Sequence, residues 1–155
     1  MPKFAQIAFC SWVLAAFAAC AQDRPAENAT AARISDGLEK AQAGKLLDAL
    51  EQFQRVLDTA GDDLVPVGKY HQMPARWVVH GHIARLPAEG LRIYRQRIEG
   101  QAAKRLAEAK KTNDQSAFNR LLADMLCSRA SEDAILALAR RSFEDGDFDR
   151  AEHFW

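Results

Sequence analysis

The chain has 155 residues, 48 per cent of them apolar, and its 21 basic residues balance 21 acidic ones. One domain's worth of chain with a formal net charge of zero has no global field to draw in nucleic acid or anionic lipid. Alanine, leucine, glutamate, lysine and arginine dominate, and no alternating β-branched run meets a hairpin turn, so the expected class is all-α.

Residues 1–21 read as a secretory signal peptide, with Lys3 as the positive start, Ile7 to Phe17 as the apolar run and Ala19-Cys20-Ala21 as the small-residue cleavage site. The uncharged run from Phe4 to Ala21 is long enough for an anchor. The small residues at its end and the polar Gln22-Asp23 behind it favour cleavage, which leaves no stable membrane span. A lipoprotein box at Phe17-Ala18-Ala19-Cys20 ranks second, because an aliphatic residue is expected where Phe17 stands. Export permits disulfides, yet cleavage leaves Cys127 as the one cysteine. Cys127 then reads as a small apolar residue near a helix end rather than a catalytic thiol, since His153, the nearest histidine in sequence, carries no nucleophile motif.

Residues 22–30 form a polar lead-in, and Thr30 can cap a helix running to about Ala43 with Ile34, Leu38 and Ala41 on one face. Gly44 ends it. Lys45 to Ala60 is strongly amphipathic, with Leu46, Ala49, Leu50, Phe53, Val56 and Leu57 as its stripe and Gln52, Gln54, Arg55 and Asp58 facing outward. Gly61 to Met73 reads as a long loop around an Asp62-Asp63 turn. Pro74 opens a helix to about Arg85. Pro87 opens the next, with Glu89 in its first turn and Leu91, Tyr94 and Ile98 as its stripe, and Gly100 breaks or kinks it before Gln101 to Lys111. Asp114 or Ser116 caps a helix bearing Phe118, Leu121, Leu122, Met125 and Leu126. Ser131 caps another bearing Ile135, Leu136, Leu138 and Phe143, and Asp145-Gly146-Asp147 turns into a last helix.

The two ends share a pattern. Gly44, Leu46, Ala49 and Phe53 stand at the same mutual spacings as Gly146, Phe148, Ala151 and Trp155, and 102 residues separate the glycines (146 less 44). That offset is about three times the ~34-residue period of a tetratricopeptide repeat. A degenerate copy falls at Thr112 to Leu121, with Ala117 in the small-residue place, and the copy due near Val78 is not recognisable. Thr30–Ala60 and Ser131–Trp155 therefore resemble the tetratricopeptide family, which implies residues 31–155 as antiparallel hairpins stacked in a short solenoid. The last helix stops on Phe154 and Trp155 without a cap, so the domain is expected to continue past Trp155.

A second resemblance rests on Met73-Pro74-Ala75-Arg76, on Leu86-Pro87-Ala88-Glu89-Gly90-Leu91-Arg92-Ile93-Tyr94-Arg95, on Gln101-Ala102 and on Cys127-Ser128-Arg129-Ala130. These runs look like the N-terminal helical region of planctomycete-type exported proteins, in which a tetratricopeptide-like region precedes a β-propeller related to pyrroloquinoline-quinone enzymes. The resemblance covers no propeller, so it implies compartment and architecture and assigns a cofactor to no residue. The expected function is an exported scaffold for a protein or peptide partner. The alternative is the helical portion of a larger quinoprotein-like enzyme, whose propeller after Trp155 would be the partner.

No residues read as catalytic, cofactor-binding or metal-binding. His80-Gly81-His82 suggests a metal, but on a helix the two rings diverge by about 200 degrees, and His71 lies across a proline. One of the pair is expected to be half-buried near Trp77. Glu89, Asp133 and the group Asp145, Asp147 and Asp149 suit helix starts and a turn better than acid catalysis. Lys104, Arg105, Lys110 and Lys111, with Glu108 among them, read as a solvated face. Trp77, Tyr94, Phe118 and Trp155 read as core. Mass spectrometry of the exported product is expected to find Gln22 at the N-terminus, and a lipid-modified Cys20 there would establish the lipoprotein alternative.

Overall fold

The computed structural model describes residues 25 to 154, and side chains from residue 29 onward. The expected signal peptide, the start of the lead-in and Trp155 lie outside those residues. The elements in order are α1 (Pro25–Gln42), α2 (Leu46–Ala60), β1 (Leu64–Pro66), β2 (Gln72–Pro74), α3 (Ala75–Ala84), α4 (Ala88–Thr112), α5 (Gln115–Met125), α6 (Arg129–Glu144) and α7 (Phe148–Phe154). The described chain is mostly helical, as composition and periodicity require. No described helix is long and apolar enough to cross a membrane.

Each helix packs on its neighbour in sequence, and α1 on α3, α2 on α4, α3 on α5 and α4 on α6 as well. The buried side chains join into one cluster, from Ile34 on α1 through Phe53, Val79, Ile83, Tyr94 and Leu121 to Leu138 on α6.

The two expected hairpins form, and their turns are built alike. Gly44 and Gly146 are left-handed, with φ of 76° and 78°. Gly44 N donates to Ala41 O at 3.1 Å and Lys45 N to Lys40 O at 2.9 Å. Gly146 N donates to Phe143 O at 3.1 Å and Asp147 N to Ser142 O at 2.8 Å. This paired bonding closes both helix ends in the same way. Ala49 and Ala151, five residues beyond each glycine, are both buried. The intermediate turn differs: its left-handed residue is Asn113, φ 51°, one place later than the period puts it. Asp114 then caps α5 by accepting from Ser116 N at 2.8 Å.

Several boundaries depart from expectation. α1 is helical already at Pro25, the first described residue and five before Thr30. Thr30 is not its cap. It is buried, and its hydroxyl donates to Asp63 Oδ2 at 2.7 Å, tying α1 to the segment after α2. The segment read as a loop carries a small antiparallel hairpin, with Val65 opposite Met73. Its strands are three residues each, too short to show periodicity, and only Val65 is buried in them. α4 runs unbroken through Gly100, which stands in open space. Ser128, not Ser131, caps α6; its hydroxyl accepts from Ser131 N at 3.1 Å, while the Ser131 hydroxyl donates to Met125 O at 2.6 Å. Gln52 and Gln54 are half-buried rather than outward-facing. Leu136 and Phe143, expected on the apolar face of α6, are more than half exposed.

Two glycines inside helices should respond oppositely to alanine. A Cβ on Gly37 would sit 2.6 Å from Cε1 of the fully buried Phe53. Gly37→Ala is therefore expected to lower stability by about 1–3 kcal/mol through overpacking. Gly100→Ala meets nothing and should raise it by about 0.5–1 kcal/mol through helix propensity. Urea midpoints of the two variants check both signs.

Candidate functional site

Position and chemistry come together in a groove between α3, α4 and the α5–α6 junction. One depression of about 430 Å³ is lined by Trp77, His80, Gly81 and Ala84 from α3, by Leu91 and Arg95 from α4, and by Leu126 and Cys127. A second, of about 420 Å³, is lined by Ala88, Leu91, Arg92, Arg95, Gln96, Glu99 and Arg129. Leu91 and Arg95 belong to both, so the two adjoin. One end is apolar and the other carries three guanidinium groups.

Helical spacing sets this out. Leu91, Arg95 and Glu99 follow at intervals of four along one face of α4, and Trp77, Gly81 and Ala84 at four and three along α3. Trp77, expected in the core, is 42 % exposed here. Tyr94 and Phe118 are core residues as read. Burial raises the Tyr94 phenol above its ordinary range, with the nearby Cys127 thiol adding to the effect, and the Tyr94 hydroxyl has no hydrogen-bond partner.

The arginines are held differently. Arg92 forms a two-pronged pair with Glu89, at 2.6 and 2.9 Å, within the first turn of α4. Arg95 Nε donates to Cys127 O at 3.1 Å, and its terminal nitrogen lies 3.3 Å from Glu132. Glu99 accepts from Arg129 N at 3.2 Å and Ala130 N at 3.1 Å, so a carboxylate from α4 satisfies the first free amides of α6. Arg129 itself has no ion-pair partner among the described residues, and it is exposed. The runs Leu86–Arg95 and Cys127–Ala130, far apart in sequence, thus meet at one end of the groove. Spacing along α4 alone could have signalled Leu91, Arg95 and Glu99 as one face; nothing local signals that Arg129 joins them.

The histidines diverge as a helix requires. His80 is buried, not half-buried, and points to α5: its Nε2–H donates to Ala123 O at 2.9 Å, which leaves a buried Nδ1 without a partner. His82 turns to α2 and stacks on Phe53, with centroids 6.1 Å apart. His71 is exposed beside the β-hairpin turn. No group of three ligating side chains able to hold a metal occurs among the described residues. Burial lowers the pKa of both paired histidines, assisted by Arg76 at His80 and by Arg85 at His82. Cys127 is half-buried; its thiol lies 3.5 Å from His80 O, and burial pushes its pKa up.

Elsewhere the charged residues do local work. Arg76 joins Asp62 at 2.6 Å and Asp124 at 3.5 Å, and Arg105 joins Asp124 at 2.8 Å, linking the turn between α2 and β1 to α3, α4 and α5. Arg105 is thus no part of a free basic stripe, whereas Lys104, Lys110 and Lys111 are exposed. Asp147 accepts from Arg150 N at 3.1 Å at the start of α7, and Asp145 lies 3.7 Å from Arg141. Asp133 and Asp149 are exposed in the opening turns of α6 and α7.

Comparison with known proteins gives no matching family model, no matching curated protein and no matching solved structure.

His80 supplies a pH dependence whose sign follows from its lowered pKa. In the unfolded chain the imidazole takes a proton near 6.5, and in the fold burial resists it. Stability is therefore full above pH 6.5 and lost as pH falls from there towards the depressed value, by at most about 1.4 kcal/mol per pH unit for each such histidine. His80→Gln should flatten that slope, and His82 should account for part of what remains. Urea midpoints measured from about pH 7 to about pH 5 check this.

Proposed function

We propose that this protein is an exported interaction scaffold, a short stack of helical hairpins of the tetratricopeptide kind whose groove between α3 and α4 takes an extended peptide. The observation that carries this reading is the contact pattern. Each helix leans on the next, and α1 to α4 each lean also on the next but one, the arrangement expected of hairpins stacked along a line. Equivalent glycine turns and buried alanines, 102 residues apart, support it further.

The groove chemistry suits a peptide. Trp77, Leu91 and Leu126 can enclose one apolar side chain, and Arg129 is free to receive a carboxylate beside it. The raised pKa of Cys127 and the lack of a base on its thiol favour binding over catalysis. Export is inferred from residues 1–21 alone.

A second reading, that these helices brace a quinoprotein-like propeller of the same chain, draws support from one fact. Two of the four runs carrying that resemblance, Leu86–Arg95 and Cys127–Ala130, converge on the arginine end of the groove.

Panning a displayed random-peptide library against the protein tests the first reading. Selected peptides should pair an acidic residue with a large apolar one. Trp77→Ala and Arg129→Glu should each weaken their binding about tenfold or more, because both positions lie in the contact. Trp77 fluorescence should shift on binding. Selected peptides indifferent to both substitutions would overturn the groove as the binding site.

A further inference from the structure

We propose that the β1–β2 hairpin is a finger that dips into the surface of an anionic phospholipid bilayer. Four of the nine exposed large apolar side chains among the described residues, Leu64, Val67, Tyr70 and Met73, fall within ten consecutive positions. Every residue from Pro66 to Met73 is exposed, and Tyr70 in the turn is 81 % so. The hairpin roots on α1 and α3, whereas α7 packs on α6.

Backbone bonds hold the finger out from the helices. Val67 N donates to His71 O at 2.8 Å near the tip. At the root, Ala75 N donates to Asp63 O at 2.8 Å and Arg76 N to Gly61 O at 2.9 Å, and Val65 is buried there. Strands of three residues at about 3.3 Å each carry the turn about 10 Å from that root. This matches the ~5–10 Å to which interfacial segments bury.

The register decides what kind of surface fits. Leu64 pairs with Pro74 and Pro66 with Gln72 on one face of the ribbon; Val65 pairs with Met73 on the other, where Val67 meets His71. Exposed apolar side chains therefore stand on both faces, Leu64 on one and Val67 and Met73 on the other. A protein docked on one face leaves the second in water, whereas immersion covers both. Pro66 and Pro74 lack an N–H, which blunts the ribbon's edges as templates for a further strand.

Charge indicates the headgroup. Residues 64–75 contain no carboxylate, and Lys69 is their one formal charge. The two acids at the root are engaged, Asp62 by Arg76 at 2.6 Å and Asp63 by the Thr30 hydroxyl at 2.7 Å. Lys69 Nζ lies 5.2 Å from the centre of the Tyr70 ring, so the tip joins a cation to the kind of aromatic that sits at headgroup level. The local field is positive although the chain as a whole is neutral.

Hydrogen exchange of the full chain, read segment by segment by mass spectrometry, tests this with mixed phosphatidylcholine and phosphatidylglycerol vesicles. The amides of residues 67–73 should slow about tenfold when vesicles are added, and Val67→Ser combined with Tyr70→Ser should abolish the slowing. Lys69→Gln should demand about fivefold more anionic lipid for the same effect. All three positions are exposed, so circular dichroism of each variant should match the parent. Reading the hairpin amides separates a contact made by residues 1–21 from one made by the finger. No slowing at residues 67–73, or slowing that survives the double variant, would overturn the proposal. Slowing without vesicles as the protein is concentrated would also overturn it, by identifying a second copy as the occupant.

Discussion

The seat of Phe53 constrains the most structure with the fewest atoms. Its ring lies over the bare Cα of Gly37 on α1 and stacks on His82 of α3, so one side chain sets the spacing of three helices. Burying such a ring contributes about 2–3 kcal/mol, but its larger effect is geometric. Ala49 is fully buried one turn before it, and Gly44 closes the turn that brings the two helices together. With α3 fixed in this way, its Trp77–Gly81–Ala84 face is the one left beside α4, and the groove is the space between them.

At the far side of the groove the polar groups do the positioning. A helix start leaves amides without internal partners, and α6 borrows Glu99 from α4 for two of them. Ser128 and Ser131, both buried, bond each other and the end of α5, so the α5–α6 junction can stay inside without unsatisfied hydroxyls. Arg95 is held by the Cys127 carbonyl. Because Arg92 is engaged by Glu89 and Arg95 by Glu132, the exposed Arg129 is the groove cation without an ion-pair partner among the described residues. That division of labour, rather than any net charge, gives the groove its polarity.

Much of the fold was legible in the chain. Stripes at intervals of three and four located the helices, proline marked the starts of α3 and α4, and glycine marked both hairpin turns, because these are local constraints on backbone and burial. Departures occurred where a residue's role depends on a distant partner. Thr30 looks like a cap and is engaged by Asp63; Ser131 looks like a cap and is engaged by Met125 and Ser128. Gly100 looks like a break, yet a helix tolerates one glycine when packing on either side holds it. Trp77, Leu136 and Phe143 sit at apolar spacings, but spacing tells which face of a helix a residue occupies, not whether anything covers that face.

The sequence by itself determined the helical class, the two glycine turns, the register that relates the end hairpins and the divergence of His80 from His82. Each follows from the pitch of a helix or the conformational freedom of one residue. The tertiary structure alone decided that His80 lies buried against Ala123 and that Arg129 joins Arg95 and Glu99 forty or fewer residues away. Those outcomes depend on which surfaces meet across the chain, and periodicity carries no information about a partner that is not its neighbour.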